Sequence, residues 1–528
     1  MMRRMQERAG HAALAALVLG HGALLWRWVR MDARPGRSIC CDLVGSVAER
    51  AGAAGLTAAG AAPRSWTPDR GWLPALAYKV TEGLGGDPDG LLVIGAASLL
   101  VGMLATYGIG RRLSGPIGGL TAAAVLPCVP ALALAARRWD VYGTQAGVLC
   151  LAAWALVRSR SLSRPMPVLL FSGLAVAGVF LSPRETDGFL VVSALGAMGL
   201  GAWLRGLFQG RGPSGVRVSR WRVLLGGLFV ACLIGWSLHT WVVFTSPEGL
   251  GYYLREAGRN TAAVDPASWT HRSAVIGRIF WRDLTPWLAI PVEVAILMWL
   301  LRGKGRCELG AWILLPLIAL SLLPKKNHYY ASVLIPALPL VLGLGVAAIP
   351  GRWLQRSAAI AIITMATIQL LVRTSPGGRL AQLFEGTQWQ GGDPTWGGVF
   401  QTSDGDMQLA PDPHDRGASA VAEAVRRAWP RDQCGCGLAL RTKGPGPWSA
   451  VNLHLLATHP CLPVKQGGRL GDAVVLVVSD PEGHGETHSP SSLSAVGFTL
   501  ADTVPVDDTD VRVHVRTGTW MEARCRLQ

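Results

Sequence analysis

Apolar residues in this chain come in long blocks, not at the two-residue period of a half-buried strand. A window of about 19 residues, the length that crosses a bilayer, finds such blocks at 11–29, 91–110, 116–136, 141–157, 166–182, 187–204, 223–244, 284–301, 308–323, 330–349 and 357–373. The pattern predicts an α-helical polytopic membrane protein of about eleven transmembrane helices. Pro127 and Pro130 interrupt the third block. The first has a basic start like a signal peptide. It is long, however, and Trp26-Arg27-Trp28-Val29-Arg30 offers no small-residue cleavage site, so it reads as a retained anchor.

The polar connections choose an orientation. Every second connection is basic and nearly free of acids: Arg3, Arg4 and Arg8; Arg111 and Arg112; Arg158, Arg160 and Arg164; Arg205, Arg211, Arg217, Arg220 and Arg222; Arg302, Lys304 and Arg306; Arg352 and Arg356. Short loops retained in the cytoplasm carry this excess of Lys and Arg. The N-terminus is expected inside the cell and the C-terminus outside. Two outer connections, 31–88 and 245–283, are long, mixed in charge and rich in Trp and Pro. Loops of such length are usually functional or disordered. Their apolar stretches Leu43–Ala54, Trp72–Leu84 and Ser273–Trp281 suit helices lying along the membrane surface.

Beyond the last block the composition turns polar. The expected organisation is a transmembrane domain over 1–374 and a small α+β extracytoplasmic domain over 375–528. In the latter, Ser419–Trp429 reads as an amphipathic helix, and Gly437–Arg441, Ala473–Ser479, Gly497–Val506 and Asp510–Arg516 read as strands. It holds Cys434, Cys436, Cys461 and Cys525. An even number of cysteines in an oxidising compartment favours two disulfides. The alternative is a zinc site on the Cys434/Cys436 pair, whose spacing is tighter than usual. Cys128, Cys150 and Cys232 lie in the blocks and read as small apolar packing residues.

Composition agrees with the block pattern. Half the residues are hydrophobic and 16% are charged, against about 25% in soluble domains; mean hydropathy is +0.32. The formal charge of +16 is accounted for by arginines in loops facing anionic lipid. No basic stripe is interleaved with stacking aromatics, which argues against nucleic acid as a partner.

Candidate chemistry lies on the outer side. Asp42, after the first block, begins an apolar helical stretch; a carboxylate there can act as a base or cap the helix. Asp32 is its local competitor. Asp140, in Arg137-Arg138-Trp139-Asp140, stands at the outer junction of the third and fourth blocks, and it too could be an N-cap. The two acids together could hold a divalent cation, Mg2+ or Mn2+, or approach a phosphate through nearby bases. Arg137, Arg138, Arg184, Lys325 and Lys326 all defy the positive-inside tendency, and several cations in short outer turns point to an anionic ligand. His328, Tyr329 and Tyr330 either share that ligand or mark the interface. His271 and Arg272 lie in the second long loop. His21 and His239 sit inside blocks and read as hydrogen-bonded packing residues.

The order of these features resembles the GT-C membrane glycosyltransferases, in particular the bacterial branch of protein O-mannosyltransferases and lipid A aminoarabinose transferases. Cys41-Asp42-Leu43 matches the position of that family's Asp-Glu motif. Asp69–Tyr78 is similar to its proline-aromatic stretch, Gly110–Gly119 to its inner turn, and Trp139-Asp140 to its second acid. Arg259-Asn260, His271-Arg272 and Pro286-Trp287 resemble the loop before its eighth span. Lys325-Lys326-Asn327-His328-Tyr329-Tyr330, followed by Pro336 and Pro339, matches its Lys-x-x-Tyr-x-x-Pro-x-x-Pro turn. One position departs: Leu43 stands where the family has an acid, which bears on any metal role and on the acceptor.

The resemblance implies a sugar donor on a polyprenyl phosphate, a lipid, glycan or protein acceptor, and inverting transfer at the outer face of the cytoplasmic membrane. Asp42 would be the base and Asp140 the second acid. Lys325, Lys326, Arg184, Arg138, Tyr330 and His271 would hold the donor phosphate. The competing classes are a transporter, a polymerase or ligase of lipid-linked glycans, and a non-catalytic accessory subunit. A transporter would need ionisable groups within the blocks, which are almost free of them.

Overall fold

The computed structural model describes residues 2–31, 89–137, 141–160, 162, 164–181, 191, 194–203, 205, 284, 286–302, 306–322, 333–374, 418–428, 439–443, 464–466, 473–479, 493–494, 497–506 and 509–516. The chain divides into two compact units, one of Met1–Trp28 and Gly95–Pro411, the other of Val29–Ile94 and Asp412–Gln528. The block 223–244, residues 32–88 of the first long loop and the long loop 245–283 lie outside the described residues.

The first unit is a helical bundle. Its helices are α1 (Met2–Met31), α2 (Asp89–Ser114), α3 (Pro116–Val125), α4 (Pro130–Arg137), α5 (Val141–Arg158), α6 (Pro165–Leu181), α7 (Ala194–Trp203), α8 (Pro286–Arg302), α9 (Arg306–Leu322), α10 (Ala337–Ala348) and α11 (Arg352–Thr374). Among the described residues, Ala9–Trp28, Val93–Ser114 and Arg352–Leu371 are long and apolar enough to cross a membrane. The exterior is apolar. On α8, Ile290, Val294, Leu297 and Leu301 are each more than half exposed, and their spacing puts them on one helix face. A stripe of that kind belongs against lipid and not against water.

Small residues bring the backbones close. Helix α2 ends at Ser114, and Gly115, at φ 95°, makes a turn that only glycine adopts readily; Pro116 then opens α3 at a position where a missing N–H costs nothing. The two helices fold back on each other, and a Cβ on Gly110 would stand 2.7 Å from the Gly119 Cα. On the far side of α3, a Cβ on Gly118 would stand 2.9 Å from the Gly343 carbonyl oxygen of α10. Close contact through small residues is how helices associate without a hydrophobic driving force.

Two expected spans are not continuous helices. The block 116–136 breaks into α3, a 3-10 turn at Leu126–Cys128 and α4. Val129 is extended (φ −68°, ψ 119°) because it precedes Pro130. In the described part of the block 330–349, helix begins at Ala337, after a buried 3-10 turn at 333–336. Helix α10 has 12 residues, about 18 Å at 1.5 Å per residue, well short of the roughly 30 Å hydrocarbon layer. Irregular backbone at such depth is tolerated where protein buries it. Val333, Leu334 and Ile335 are all buried, and Trp312 Nε1 of α9 donates to the Val333 carbonyl oxygen at 2.8 Å.

The second unit carries a five-stranded mixed sheet in the order β2-β1-β3-β5-β4, with β1 (Ala439–Lys443), β2 (Val464–Gln466), β3 (Ala473–Ser479), β4 (Phe498–Val506) and β5 (Thr509–Arg516). β1 is parallel to β2 and β3, while β5 is antiparallel to β3 and β4. Helix α12 (Ala418–Ala428) buries Val421, Ala424 and Val425, and its Arg427 reaches Asp502 of β4 at 2.7 Å. Asp502 opposes Val513, so α12 covers the face that also presents Val475, Val477 and Val511. The opposite face holds Leu476, Phe498 and His514.

Candidate active site

The described helices fix two ends of the bundle. At one end, Gly10 of α1 lies against Tyr107 and Pro116, and Arg111 Nη1 donates to His11 Nε2 at 2.7 Å. Ala347 of α10 lies against Gly118, and Gln355 Nε2 donates to the carbonyl oxygens of Ala347 and Ile349 at 3.0 and 2.8 Å. This end gathers Arg111, Arg112, Arg158, Arg352 and Arg356 from the termini of α2, α5 and α11.

At the other end, a Cβ on Gly95, near the start of α2, would stand 2.5 Å from the Ala136 carbonyl oxygen at the close of α4. Gly147 of α5 packs on Ser98 of α2, and Gly178, near the end of α6, packs on Val148 of α5. Gln369 Nε2, late in α11, donates to the Leu284 carbonyl oxygen just ahead of α8 at 3.5 Å. The close of α4, the start of α5 and the close of α6 therefore meet at one end. Those are the helix ends that bracket Arg138, Trp139 and Asp140 and that precede Arg184. Trp312, near the middle of α9, reaches Val333 just ahead of α10, whose far end lies against Gly118, so the close of α9 at Leu322 points away from the arginine-rich end; Lys325 follows it in sequence.

The predicted site side chains fall outside the described residues: Asp42, Asp140, Arg138, Arg184, His271, Lys325, Lys326 and Tyr330. So do Asp32, His328, Tyr329 and the four cysteines Cys434, Cys436, Cys461 and Cys525. Arg137 is the last residue of α4. Among the described residues no three His, Cys, Asp or Glu side chains sit together.

Three residues expected only to pack are seen to do so, while His239 and Cys232 lie outside the described residues. His21 Nδ1 donates to the Leu17 carbonyl oxygen at 2.9 Å. Cys128 and Cys150 are buried free thiols, with Cys128 Sγ donating to the Ala124 carbonyl oxygen at 3.3 Å. One residue gave no signal in the sequence. Thr144, in the first turn of α5 and one helical turn after Asp140, is buried, and its Oγ1 finds no hydrogen-bond partner among the described residues. A threonine in an apolar block is too ordinary to single out, and only the geometry exposes it.

The likeness of the described elements to solved structures is one of fold, of the GT-C kind. The likeness is to ArnT from Cupriavidus metallidurans, in a crystal structure bound to undecaprenyl phosphate: TM-score 0.57 at 14% identity, covering 96% of this chain and 98% of that one. The apo state of the same ArnT gives TM-score 0.57 at 13% identity, covering 94% and 97%. A looser likeness, TM-score 0.42 at 10% identity over 90% of this chain, reaches the archaeal oligosaccharyltransferase AglB from Archaeoglobus fulgidus. No family profile and no curated protein matches the sequence.

Proposed function

We propose that this chain is an integral membrane glycosyltransferase that moves a sugar from a polyprenyl-phosphate donor to an acceptor hydroxyl or phosphate, with inversion, at the outer face of the cytoplasmic membrane. The observation that carries the reading is a coincidence. The chain aligns over 96% of its length with a fold seen holding undecaprenyl phosphate, and its out-of-place cations follow or precede helix ends gathered at one end of that fold. Arg138 follows α4, Arg184 follows α6 and Lys325 follows α9.

In this reading the Asp42 carboxylate takes the proton of an acceptor hydroxyl. The freed oxygen attacks the anomeric carbon from the face opposite the phosphate, and the carbon–oxygen bond to the phosphate breaks. The lipid phosphate leaves with the electron pair, so its charge must be met in the transition state. Lys325, Lys326, Arg184 and Arg138 supply that charge, and Tyr330 and His271 hold the donor phosphate. A divalent cation, Mg2+ or Mn2+, would be held by Asp42 and Asp140 and would neutralise phosphate charge; Leu43 leaves such a site one carboxylate short of the family pattern. The small C-terminal α+β unit is assigned to the extracytoplasmic side.

Mass spectrometry of lipid-linked sugars and outer glycans in a deletion strain tests the reading. One polyprenyl-phosphate sugar should accumulate while one outer glycan loses that sugar. An unchanged lipid-sugar pool together with unchanged glycans would overturn it.

A further inference from the structure

The arginine-rich end of the bundle, opposite the proposed active site, has a shape beyond simple loop charge. The turn between α5 and α6 is built around Ser159, which is fully buried. Its Oγ donates to the Leu156 carbonyl oxygen at 2.6 Å and accepts from the Leu162 backbone N–H at 3.0 Å, while its carbonyl oxygen accepts from the Arg164 N–H at 3.0 Å. This network holds Arg160 and Leu162 at φ 51° and 65°, a conformation that non-glycine residues rarely take. The turn therefore presents Arg158, Arg160 and Arg164 from a fixed base.

Helix α2 supplies the second wall. Trp154 lies against Gly108, where a Cβ would collide with the indole, and the Arg158 guanidinium stacks 4.8 Å above the Trp154 ring. Arg112, at the end of α2, is exposed and lies near enough to Arg160, Arg164 and Arg158 to feel their charges. Four cations thus share one exposed patch. Directly beyond Arg164, the first turns of α6 expose Met166 (74%), Leu169 and Leu170. A cationic patch continuous with an apolar helix face fits a molecule that carries an anion at the end of acyl chains.

We propose that Arg112, Arg158, Arg160 and Arg164, with the exposed α6 face at Met166, Leu169 and Leu170, form a binding site for one anionic glycerophospholipid of the leaflet at this end of the bundle. The guanidiniums of Arg112 and Arg158 take the phosphodiester oxygens, and the acyl chains lie along α6. The Trp154 stack holds Arg158 in place, which reduces the rotamer freedom lost on binding.

The test uses the full-length chain, delipidated in neutral detergent. It is titrated with phosphatidylglycerol, with phosphatidylcholine, and with soluble glycerol 3-phosphate, with bound lipid counted by native mass spectrometry. Phosphatidylglycerol should be retained and should raise Tm; phosphatidylcholine should do neither, and glycerol 3-phosphate should not displace the lipid. Arginines near an anionic lipid each contribute roughly fivefold in affinity, so Arg112→Gln/Arg158→Gln/Arg164→Gln should lose on the order of a hundredfold. Arg302→Gln/Arg352→Gln, which removes two cations elsewhere at this end, should retain the lipid. If the triple variant does not fold, Arg112→Gln and Arg164→Gln taken singly should each weaken retention roughly fivefold. Equal retention of phosphatidylcholine, displacement by glycerol 3-phosphate, unweakened variants, or equal loss in the control pair would each overturn the proposal.

Discussion

Trp312 Nε1 donates to the carbonyl oxygen of Val333 at 2.8 Å, joining the first half of α9 to the 3-10 turn that leads into α10. The turn is buried in protein, with Val333 at 1% exposure, so its carbonyl needs a partner from the protein. Trp312→Phe keeps most of the packing and removes the donor. It should cost about 1–3 kcal/mol, the usual penalty for a buried acceptor left unpaired, read as a lower Tm in a thiol-dye melt in detergent. Because the turn follows the Lys325–Tyr330 segment, the same variant should raise the KM for donor more than it lowers kcat.

The α3–α10 crossing makes a sharper prediction. A Cβ at Gly343 would run into the Gly118 carbonyl oxygen and stand 2.9 Å from the Ala122 Cβ, so neither backbone can yield cheaply. Gly343→Val should cost 1–3 kcal/mol or more, as overpacking does. Gly20→Ala and Gly173→Ala, where a Cβ meets nothing within 4 Å, should be neutral or stabilising by up to about 1 kcal/mol. A thermal melt of the three variants separates the cases.

The sheet unit should weaken in mild acid. Burial, with the nearby Arg512 charge adding to it, lowers the pKa of His514 from 6.5. The folded sheet therefore holds His514 neutral while the unfolded chain takes up a proton. Stability is full above 6.5 and falls as pH drops from there to the lowered folded value. Asp502 acts in a lower window: its bond to Arg427 holds its carboxyl below 3.8, so its contribution is lost only as pH falls through that depressed value. Hydrogen exchange of β3–β5 in the full-length protein, corrected for intrinsic rate, should show less protection at pH 5.0 than at pH 7.5. His514→Gln should flatten that difference.

Asp42→Asn should abolish sugar transfer while leaving donor binding intact, since it removes a base and keeps the shape. Lys325→Ala and Lys326→Ala should cut the rate by on the order of 10²–10³, the usual loss when a group that stabilises transition-state charge is removed. Transfer from a synthetic polyprenyl-phosphate sugar, with donor binding measured separately, checks both. Retained transfer in Asp42→Asn would remove the base from the mechanism.

Much of the helical architecture is legible in the sequence because a bilayer demands long apolar blocks. The blocks at 91–110 and 357–373 appear as α2 and α11, extended at both ends by polar residues that a hydropathy window discards. The window fails where a block hides a break. Pro127 and Pro130 are visible, but hydropathy cannot tell a kinked span from two half-helices. For 330–349 Pro336 and Pro339 are likewise visible, but the partner of the buried Val333 carbonyl is not: it is Trp312 of a different helix, a tertiary contact that hydropathy does not record. Among the strands, β3 matches its expected limits, whereas β2, only Val464–Gln466, is too short to show alternation. The candidate site reads as an order of motifs, and its side chains lie outside the described residues. Thr144 is not legible, because an unpaired hydroxyl is a property of surroundings.

The glycine seam joining α2, α3 and α10 has a thermal consequence. Backbones that touch directly have little side-chain area between them, so parting them wets little apolar surface. That surface is what gives unfolding its heat capacity. The seam's contribution to stability should therefore change slowly with temperature, holding in the cold, where apolar burial weakens.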